Sequence, residues 1–422
     1  MREMKDSGVE WIGEIPADWE LSKIGAVYEE RNEKVSDADF PPLSVTKQGV
    51  VPQLETAAKT NDGDNRKLIC QNDFVINSRS DRRGSCGISE YEGSCSLINT
   101  VLKPRRNMCN AYYSFVFHSE RFADEFYRWG NGIVDDLWST KWSNMKRIYI
   151  PAPSLQEQRR IADYLNRKCS QIDAIIARQQ EVIEKLKAYK LSVITEAVTK
   201  GLNPDVPMKD SGVEWIGEIP EHWNVAKMKF VAAFFNGDRS SKYPSGTDIV
   251  DTGVIFVTSN NLGNIVLNTE VDTKYITKEK YKDLGGAKLQ IDDIVFCLRG
   301  SVGKCSINKT ENEGTIASSL VAIRAEKILA DYLIFVLQCP GVTAMSTLNA
   351  IGIGSLNLSA EDISEIVIPV PSQEDTKQIA VFLEKKIGMI DKLISTKKDC
   401  IDKLTSYKKS LIYEVVTGKK EV

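Results

Sequence analysis

Very few residues in this chain have the type and spacing that metal or nucleophilic chemistry needs. The chain contains only two histidines, His118 and His222, and its nine cysteines are scattered without a Cys-x-x-Cys pair. A zinc site needs cysteine or histidine ligands at short, regular spacing, and neither histidine has them nearby. Neither histidine lies in the context of a nucleophile elbow. The sequence therefore predicts no bound metal and no nucleophilic catalysis, and it indicates a surface role for His222.

Two other segments approach a catalytic motif without completing it. Residues 300–305, GSVGKC, lack the spacing of a phosphate-binding loop, and a cysteine replaces the hydroxyl that would hold Mg²⁺. Glu384-Lys385-Lys386 has the E-x-K spacing of some nucleases, but it lies in a predicted long helix and is interpreted as a solvated face. The Asp/Asn-Pro-Pro-Tyr/Phe motif of adenine methyltransferases is absent. The prediction is a chain that is not an enzyme.

Two segments of the sequence each occur twice. Residues 4–16, MKDSGVEWIGEIP, recur unchanged at 208–220, an offset of 204 residues that also aligns Trp19 with Trp223. Residues 148–200 resemble 366–418 at an offset of 218 residues, beginning with I-x-I-P-x-P-S. Between these repeats the two halves differ far more. A repeated frame around two different inserts predicts one scaffold with two different surfaces. The alternative is a duplication that produced two similar lobes without a recognition role.

A long helix is predicted after each closing segment. Pro151 and Pro153 prevent a helix before Ser154, and Ser154 with Glu157 fits a capping box; Ser372 with Asp375 is a weaker version. Roughly 45 residues at ~1.5 Å each give a rod of ~65 Å, longer than a typical domain is wide. Such a length favours packing of helix on helix over packing of one helix on a globular core.

Heptad spacing predicts that the two helices form an antiparallel coiled coil with one lobe at each end. The apolar seam consists of Leu165, Ile172, Ile176, Ile183, Leu186, Leu383, Ile390, Ile394, Ile401 and Leu404. Polar residues interrupt the seam at Gln179, Lys190, Lys397 and Lys408, where they would set the register or meet carboxylates.

The predicted fold class is therefore α/β (mixed α+β), with an internal pseudo-two-fold repeat. The predicted boundaries are a globular domain at 1–153, a central long helix at 154–200, a second globular domain at 201–371 and a C-terminal long helix at 372–422.

This arrangement resembles the specificity subunit of type I restriction–modification systems. The resemblance rests on the opening S-G-V-E-W-I-G-E-I-P and the closing I-x-I-P-x-P-S with its long helix, each present twice, and it covers essentially the whole chain. It implies two target recognition domains that each read one half of a bipartite DNA site, with a spacer set by the helices. It also implies two modification subunits, which use S-adenosylmethionine, and two restriction subunits, which use ATP and Mg²⁺. No cofactor is implied in this chain.

Two departures from the family pattern are visible. Gln156-Glu157-Gln158 matches the usual E-Q pair of the family, whereas the second copy has Glu374-Asp375-Thr376. In the second half, Asp293-Ile-Val-Phe followed by residues 299–304 is similar to the strand-and-turn motif of the family. Its counterpart in the first half, around Asp73 and Arg79, is rearranged.

Polar turns follow short strand-like runs at 73–77, 253–258 and 293–297. Arginine and lysine pair with guanine, and asparagine and glutamine pair with adenine, when turns carry them into the major groove. The candidates are Lys47, Gln48, Arg79, Arg82, Arg83, Lys141, Asn260, Asn261, Arg299 and Lys304. For any one of them the alternatives are plain solvation, a phosphate contact or a brace for the turn.

Composition limits these interpretations. With 42% hydrophobic and 27% charged residues, the chain is expected to be globular and soluble. The sequence begins without an apolar signal core, so a cytoplasmic protein with reduced cysteines is expected. The net charge of −3 is unusual for a DNA-binding protein, so partner subunits would supply much of the basic surface. The alternative function is a two-lobed coiled-coil scaffold without sequence-specific DNA binding.

Overall fold

The computed structural model describes residues 2–55, 62–79, 82–132, 138–238, 243–270, 272–349 and 358–422, with only the backbone described at 346–349. The chain divides into two compact units. Unit 1 contains Met1–Gln180 and Lys398–Val422, and unit 2 contains Glu181–Lys397. This division differs from the boundaries drawn on the sequence because each long helix contributes one part to each unit.

Unit 1 contains thirteen described strands and four short helices. The strands are β1 (Met4–Asp6), β2 (Glu14–Pro16), β3 (Glu20–Lys23), β4 (Tyr28–Arg31), β5 (Lys34–Val35), β6 (Leu43–Thr46), β7 (Gly49–Pro52), β8 (Arg66–Ile69), β9 (Phe74–Asn77), β10 (Cys86–Ile88), β11 (Gly93–Cys95), β12 (Asn99–Pro104) and β13 (Tyr149–Ala152). The helices are α1 (Ile24–Val27), α2 (Asn110–His118), α3 (Glu120–Arg128) and α4 (Trp142–Met145).

Unit 2 contains a comparable set of elements. The strands are β14 (Met208–Asp210), β15 (Glu218–Pro220), β16 (Asn224–Lys227), β17 (Ala232–Asn236), β18 (Ile249–Val250), β19 (Val254–Val257), β20 (Lys274–Ile276), β21 (Ile294–Cys297), β22 (Cys305–Ile307), β23 (Gly314–Ile316), β24 (Leu320–Ala325) and β25 (Val367–Val370). The helices are α6 (Lys278–Asp283), α7 (Ala330–Leu337), α8 (Pro340–Asn349) and α9 (Ala360–Ser364). The long helices α5 (Leu155–Lys200) and α10 (Gln373–Val416) cross the division between the units.

The main sheet has the same antiparallel strand order in both units. It is β10-β9-β12-β4 in unit 1 and β22-β21-β24-β17 in unit 2. The opening motif forms the hairpins β1–β2 and β14–β15, and β3–β13 and β16–β25 pair equivalently. The rest differs: unit 1 adds β11-β8-β5 and the hairpin β6–β7, whereas unit 2 adds β18-β20-β19-β23. The mixed α and β fold with two repeated domains is thereby confirmed.

The strand-like runs predicted from the sequence form the centre of each unit. Strands β9, β19 and β21 are buried because their β-branched and aromatic residues fill a core on both faces. In unit 1 this core contains an aromatic cluster, in which Tyr28, Phe74 and Phe117 are in mutual contact. The turns that follow β9 and β21 are therefore anchored on rigid strands.

The long helices begin as their sequences predict. The Ser154 hydroxyl accepts a hydrogen bond from the Glu157 backbone N–H, and Ser372 does the same for Asp375. The expected return bond from Glu157 to the backbone of Ser154 is replaced, because its carboxylate accepts from the Trp19 indole instead. Helix α5 is thus joined at its first turn to the opening motif of unit 1.

Of the predicted seam residues, six are buried and four are half-buried: Leu165, Ile172, Ile183, Leu383, Ile390 and Ile394 are buried, and Ile176, Leu186, Ile401 and Leu404 are half-buried. In unit 1, Leu165 near the start of α5 and Leu411 near the end of α10 enter one core, so the two segments are antiparallel. The seam lysines meet carboxylates as predicted: Lys408 contacts Asp173 within unit 1, and Lys190 contacts Asp391 within unit 2. Lys397 is half-buried, and the buried Oε1 atom of Gln179 has no hydrogen-bond partner.

Candidate nucleic-acid interface

The opening and closing repeats of each unit are joined by equivalent hydrogen bonds. The Trp11 indole donates to the carbonyl of Tyr149, and Trp215 donates to Val367, both at 3.2 Å. Each pair joins the connection inside the opening hairpin, between β1 and β2 or between β14 and β15, to the strand that precedes a long helix. We call these paired segments, 4–23 with 148–153 and 208–227 with 366–371, the frame of each unit.

The frame is fastened to the first turn of a long helix in the same way twice. Trp19 donates to Glu157 and Trp223 donates to Asp375, each at 3.0 Å. Because the two acids are equivalent under the 218-residue offset, the change from glutamate to aspartate keeps this contact. The departure from the family pattern at Asp375 therefore leaves the frame intact.

Buried tyrosines fasten each unit to the other end of a long helix. The Tyr112 hydroxyl donates to the carbonyl of Val416 at 2.8 Å, and Tyr332 donates to Val198 at 3.1 Å. Burial raises the pKa of both phenols well above the usual value, so both remain protonated donors. Helix ends and frames are thus equivalent in the two units, and only the inserted surfaces differ.

An ion pair between a half-buried arginine and a buried aspartate lies at the start of each central strand. In unit 1, Arg31 on β4 contacts Asp73 at 2.6 Å, and in unit 2, Arg324 on β24 contacts Asp293 at 2.8 Å. Hydrogen bonding to the carboxylate raises the pKa of each guanidinium. The aspartates are equivalent, yet the arginines come from different strands. Sequence analysis missed these pairs because nothing local marks the arginine that reaches a distant aspartate.

The turns after the central strands carry the exposed cations predicted from the sequence. We call 78–85, of which residues 80 and 81 lie outside the described part, and 298–304 the reading turns of units 1 and 2. Each begins with the same hydrogen bond: Ser78 N–H donates to Ile98, and Leu298 N–H donates to Ser319. The two reading turns are therefore structurally equivalent although their sequences differ.

In unit 1 the reading turn gathers candidates from separate segments. Arg79 and Lys141 are exposed and line one groove, because residue 79 pairs with Ser139 just before α4. Lys47 and Gln48 form the tip of the hairpin β6–β7, which packs on β10 through Gly49. Arg82 is also exposed, within the turn itself.

Arg83 is engaged differently from its neighbours. Its guanidinium contacts Asp124 at 3.1 Å and lies 4.5 Å from the centre of the Tyr127 ring. These contacts tie the reading turn to helix α3. Of the alternatives considered for this residue, a brace for the turn agrees best with the structure.

In unit 2 the reading turn exposes Arg299 and Lys304. Gly300 and Gly303 have positive φ angles of 77° and 89°, so the turn curls in a way that favours glycine at both positions. The turn ends in Cys305, which is buried in β22, and burial raises the pKa of this thiol to about 12. The residue that would have to hold Mg²⁺ in a phosphate loop is thus a protonated core side chain.

The two asparagines of unit 2 have different environments. Asn260 is exposed, on a segment that is bonded to β22 through Gly263 and Ser306 at 3.2 Å. Asn261 is buried, and its amide accepts from Thr258 N–H and donates to the carbonyl of Asn268. The prediction that Asn261 contacts a base is therefore corrected: its side chain closes its own turn and has no free edge.

No alternative chemistry emerges from the described residues. The His118 ring contacts the backbone carbonyls of Ser114 and Cys86, and the half-exposed His222 contacts Asp375. Within the described part of the chain, no group of three or more histidine, cysteine, aspartate or glutamate residues could hold a metal ion. All nine cysteines are free thiols. Among the described helices, none is both long and apolar enough to cross a membrane.

Comparisons with known proteins agree with this geometry. A family model described as the type I restriction modification DNA specificity domain matches residues 16–185 and 220–403. The type I restriction enzyme MjaVIII specificity subunit of Methanocaldococcus jannaschii is 26% identical over 406 residues, which are 91% of this chain and 88% of that protein.

Two solved structures have a similar fold. A chain from a type I R-M system has a TM-score of 0.72 at 14% identity and covers 96% of this chain and 99% of that one. The HsdS subunit of Thermoanaerobacter tengcongensis has a TM-score of 0.51 at 14% identity, with 96% and 98% covered. At such low identity these two matches establish the fold alone.

Proposed function

The chain belongs to the type I restriction–modification DNA specificity family, and from that premise we propose that its two units each read one half of a bipartite DNA target. One observation carries the proposal: equivalent frames, fastened by Trp19–Glu157 and Trp223–Asp375, present reading turns of different sequence. Equivalent frames hold the turns in the same position in both units, and turns of different sequence can contact different bases. The family match does not favour the alternative of a scaffold without sequence-specific DNA binding.

We assign the DNA contacts to the exposed polar residues on and around the reading turns. They are Lys47, Gln48, Arg79, Arg82 and Lys141 in unit 1, and Asn260, Arg299 and Lys304 in unit 2. All can present donors to phosphate oxygens or to base edges in the major groove. The flanking strands and frames hold these side chains in place.

The chemistry of the system is proposed to lie on partner subunits. The lack of catalytic motifs in the sequence supports a chain that reads and assembles, and the net charge of −3 supports partners that supply much of the basic surface. We propose two modification subunits, which use S-adenosylmethionine, and two restriction subunits, which use ATP and Mg²⁺. The equivalent frames and helix ends support two copies of each partner subunit, because the chain offers the same contact surface twice.

The direct test is site mapping with purified proteins. The chain is combined with its cognate modification subunit and S-adenosylmethionine, and methylated adenines are located in a DNA library. A defined bipartite site is expected, whereas the chain alone should not turn over S-adenosylmethionine. Replacing residues 17–147 with those of a relative should change one half-site only. Methylation without a defined site, or a change in both half-sites at once, would contradict the proposal.

A further inference from the structure

An exposed apolar pair lies beside the reading turn of unit 1. Leu97 and Ile98, between β11 and β12, are 42% and 36% exposed. They line the same groove as Arg79, Lys141 and Trp142. Glu30, also in this groove, is paired with Lys67 at 3.3 Å, so its charge is locally compensated. Two apolar side chains thus lie at the point where the proposed function puts DNA.

The fold itself does not require apolar residues at these positions. The Ile98 carbonyl accepts from the first residue of the reading turn in unit 1, and in unit 2 the carbonyl of Ser319 accepts the equivalent bond. Unit 2 therefore has Ser318 and Ser319 where unit 1 has Leu97 and Ile98. Because serine satisfies the same backbone geometry, this backbone contact does not account for the leucine and isoleucine.

We propose that Leu97 and Ile98 determine specificity by packing against the C5-methyl groups of thymine in the half-site read by unit 1. The inference rests on the proposed function and names the base that this surface recognises. The thymine methyl is the apolar group that base pairs present in the major groove. Arg79 and Lys141, exposed in the same groove, supply the positive charge that a flanking phosphate requires.

Ser318 and Ser319 give unit 2 a different preference. A serine hydroxyl both donates and accepts, so it does not select the methyl group. The same loop position is therefore apolar in one unit and polar in the other. This difference provides a control within a single chain.

The test replaces thymine by deoxyuridine, which removes the methyl group and keeps every hydrogen-bonding atom. The complex of the chain with its modification subunit is titrated with duplexes that carry the mapped site. Single replacements are made in each half-site. At one or more positions of the unit 1 half-site, binding should weaken about fourfold per methyl removed, as expected from burial of one carbon group.

The matched variant is Leu97→Ser with Ile98→Ser, which copies the sequence of unit 2. It should bind the thymine duplex more weakly and lose its sensitivity to deoxyuridine in the unit 1 half-site. Its response to deoxyuridine in the other half-site should be unchanged. Leu54→Ser, at an exposed apolar residue that does not line this groove, should behave as wild type. Thermal unfolding verifies that each variant is folded.

Several outcomes would overturn the inference. The unit 1 half-site could contain no thymine, or deoxyuridine in that half-site could leave binding unchanged. The double variant could also remain as sensitive to deoxyuridine as the wild type. A double variant that loses its modification subunit in the absence of DNA would mark the pair as a protein-docking surface instead. If the exchange of residues 17–147 changes neither half-site, the proposed function itself fails. The outcomes above leave that function intact, so the failure of the inference and the failure of the proposed function can be distinguished.

Discussion

The Nζ atom of Lys408 lies 2.7 Å from both carboxylate oxygens of Asp173. The pair joins α10 to α5 within unit 1, and Lys190 with Asp391 repeats it within unit 2 at 2.8 Å. Both partners shift by the same 218 residues that relate the two helix sequences. A polar residue in a coiled-coil seam costs stability but selects one register. These pairs therefore give the helix pair a defined alignment in each unit.

The first prediction concerns the strength of this contact. Asp173→Lys should destabilise unit 1, because it places two cations together, and the double variant Asp173→Lys, Lys408→Asp should recover the loss. The Asp173 side chain is 56% exposed, so the coupling energy should be only ~0.2–1 kcal/mol. A double-mutant cycle measured by chemical denaturation gives this value. Asp391→Lys is the matched control in unit 2, and a coupling energy of zero in both units would contradict the assignment.

The second prediction tests the long helices as a ruler. An insertion in the last turns of α5 would disrupt packing, because Ile194, Ala197 and Val198 are buried in unit 2. Four residues are therefore inserted after Gln180 and four after Lys397, at the division between the units. Both lysine–aspartate pairs then keep their partners.

Each insertion lengthens its helix by ~6 Å and turns it by about 40° beyond a full turn. One base pair advances ~3.4 Å, so the preferred spacer between half-sites should grow by about one or two base pairs. Both half-site sequences should remain, because the reading turns are unchanged. Methylation of a library with varied spacers measures the optimum. An unchanged optimum in a folded, active variant would show that the helices do not set the distance.

The third prediction compares two equivalent residues of the long helices. Gln158 is buried, and its side chain accepts from Cys109 N–H at 2.9 Å and donates to the Pro153 carbonyl at 2.8 Å. Gln158→Thr should cost ~1–3 kcal/mol because the N–H of half-buried Cys109 and the buried carbonyl of Pro153 both lose their partner.

The control is Thr376→Ala in unit 2. The Thr376 hydroxyl donates to the carbonyls of Ser372 and Gln373, at the start of its own helix. Because these contacts are local, the loss of the Thr376 side chain should cost less than the loss of Gln158. Denaturant titrations of both variants make the comparison. Equal losses would mean that the Cys109 contact contributes little.

The fourth prediction concerns pH. Burial disfavours the charged form of Asp375, but hydrogen bonds from Ser372, His222 and Trp223 outweigh it, so the pKa of this carboxyl lies below its usual value. A group whose pKa is lower in the folded than in the unfolded state stabilises the fold above its unfolded pKa. That contribution is lost as the pH falls through the folded pKa.

Asp375→Asn should therefore lower stability by ~1 kcal/mol near pH 7, and the difference from wild type should shrink below about pH 4. Thermal unfolding across this range checks the result. Glu374→Gln, at the preceding exposed residue, is the control for the removal of a neighbouring surface carboxylate. A difference that stays constant down to pH 2 would remove Asp375 as its source.

The fifth prediction separates base contacts from phosphate contacts at the reading turns. Arg79→Ala and Arg299→Ala should each act on one half-site. At a base, the loss should be ~1–3 kcal/mol with relaxed selection at one position. At a phosphate, all sequences should weaken alike and the salt slope should fall by about one unit. Lys185→Ala, on the exposed side of α5, is the control. Unchanged binding in both arginine variants would remove them from the interface.

The sequence by itself determined the repeated frame, the two long helices and their seam, because these depend on local signals. Pro153 and Ser154 mark a helix start through preferences of the neighbouring residues alone, and a heptad pattern defines an apolar stripe without knowledge of its partner. The central strands at 74–77 and 294–297 were predicted for the same reason. Exposed Arg79 and Arg299 followed from their place after those strands.

Only the tertiary structure decided which polar and apolar residues are available to a ligand. Asn260 and Asn261 are neighbours of one residue type, yet one is exposed and the other is buried in the bonds of its own turn. Leu97 and Ile98 look like the start of a strand, but the fold leaves them exposed beside Arg79. Availability depends on contacts between segments that are distant in the chain, such as Ser78 with Ile98. No local pattern encodes such contacts, because they arise only when the strands pair.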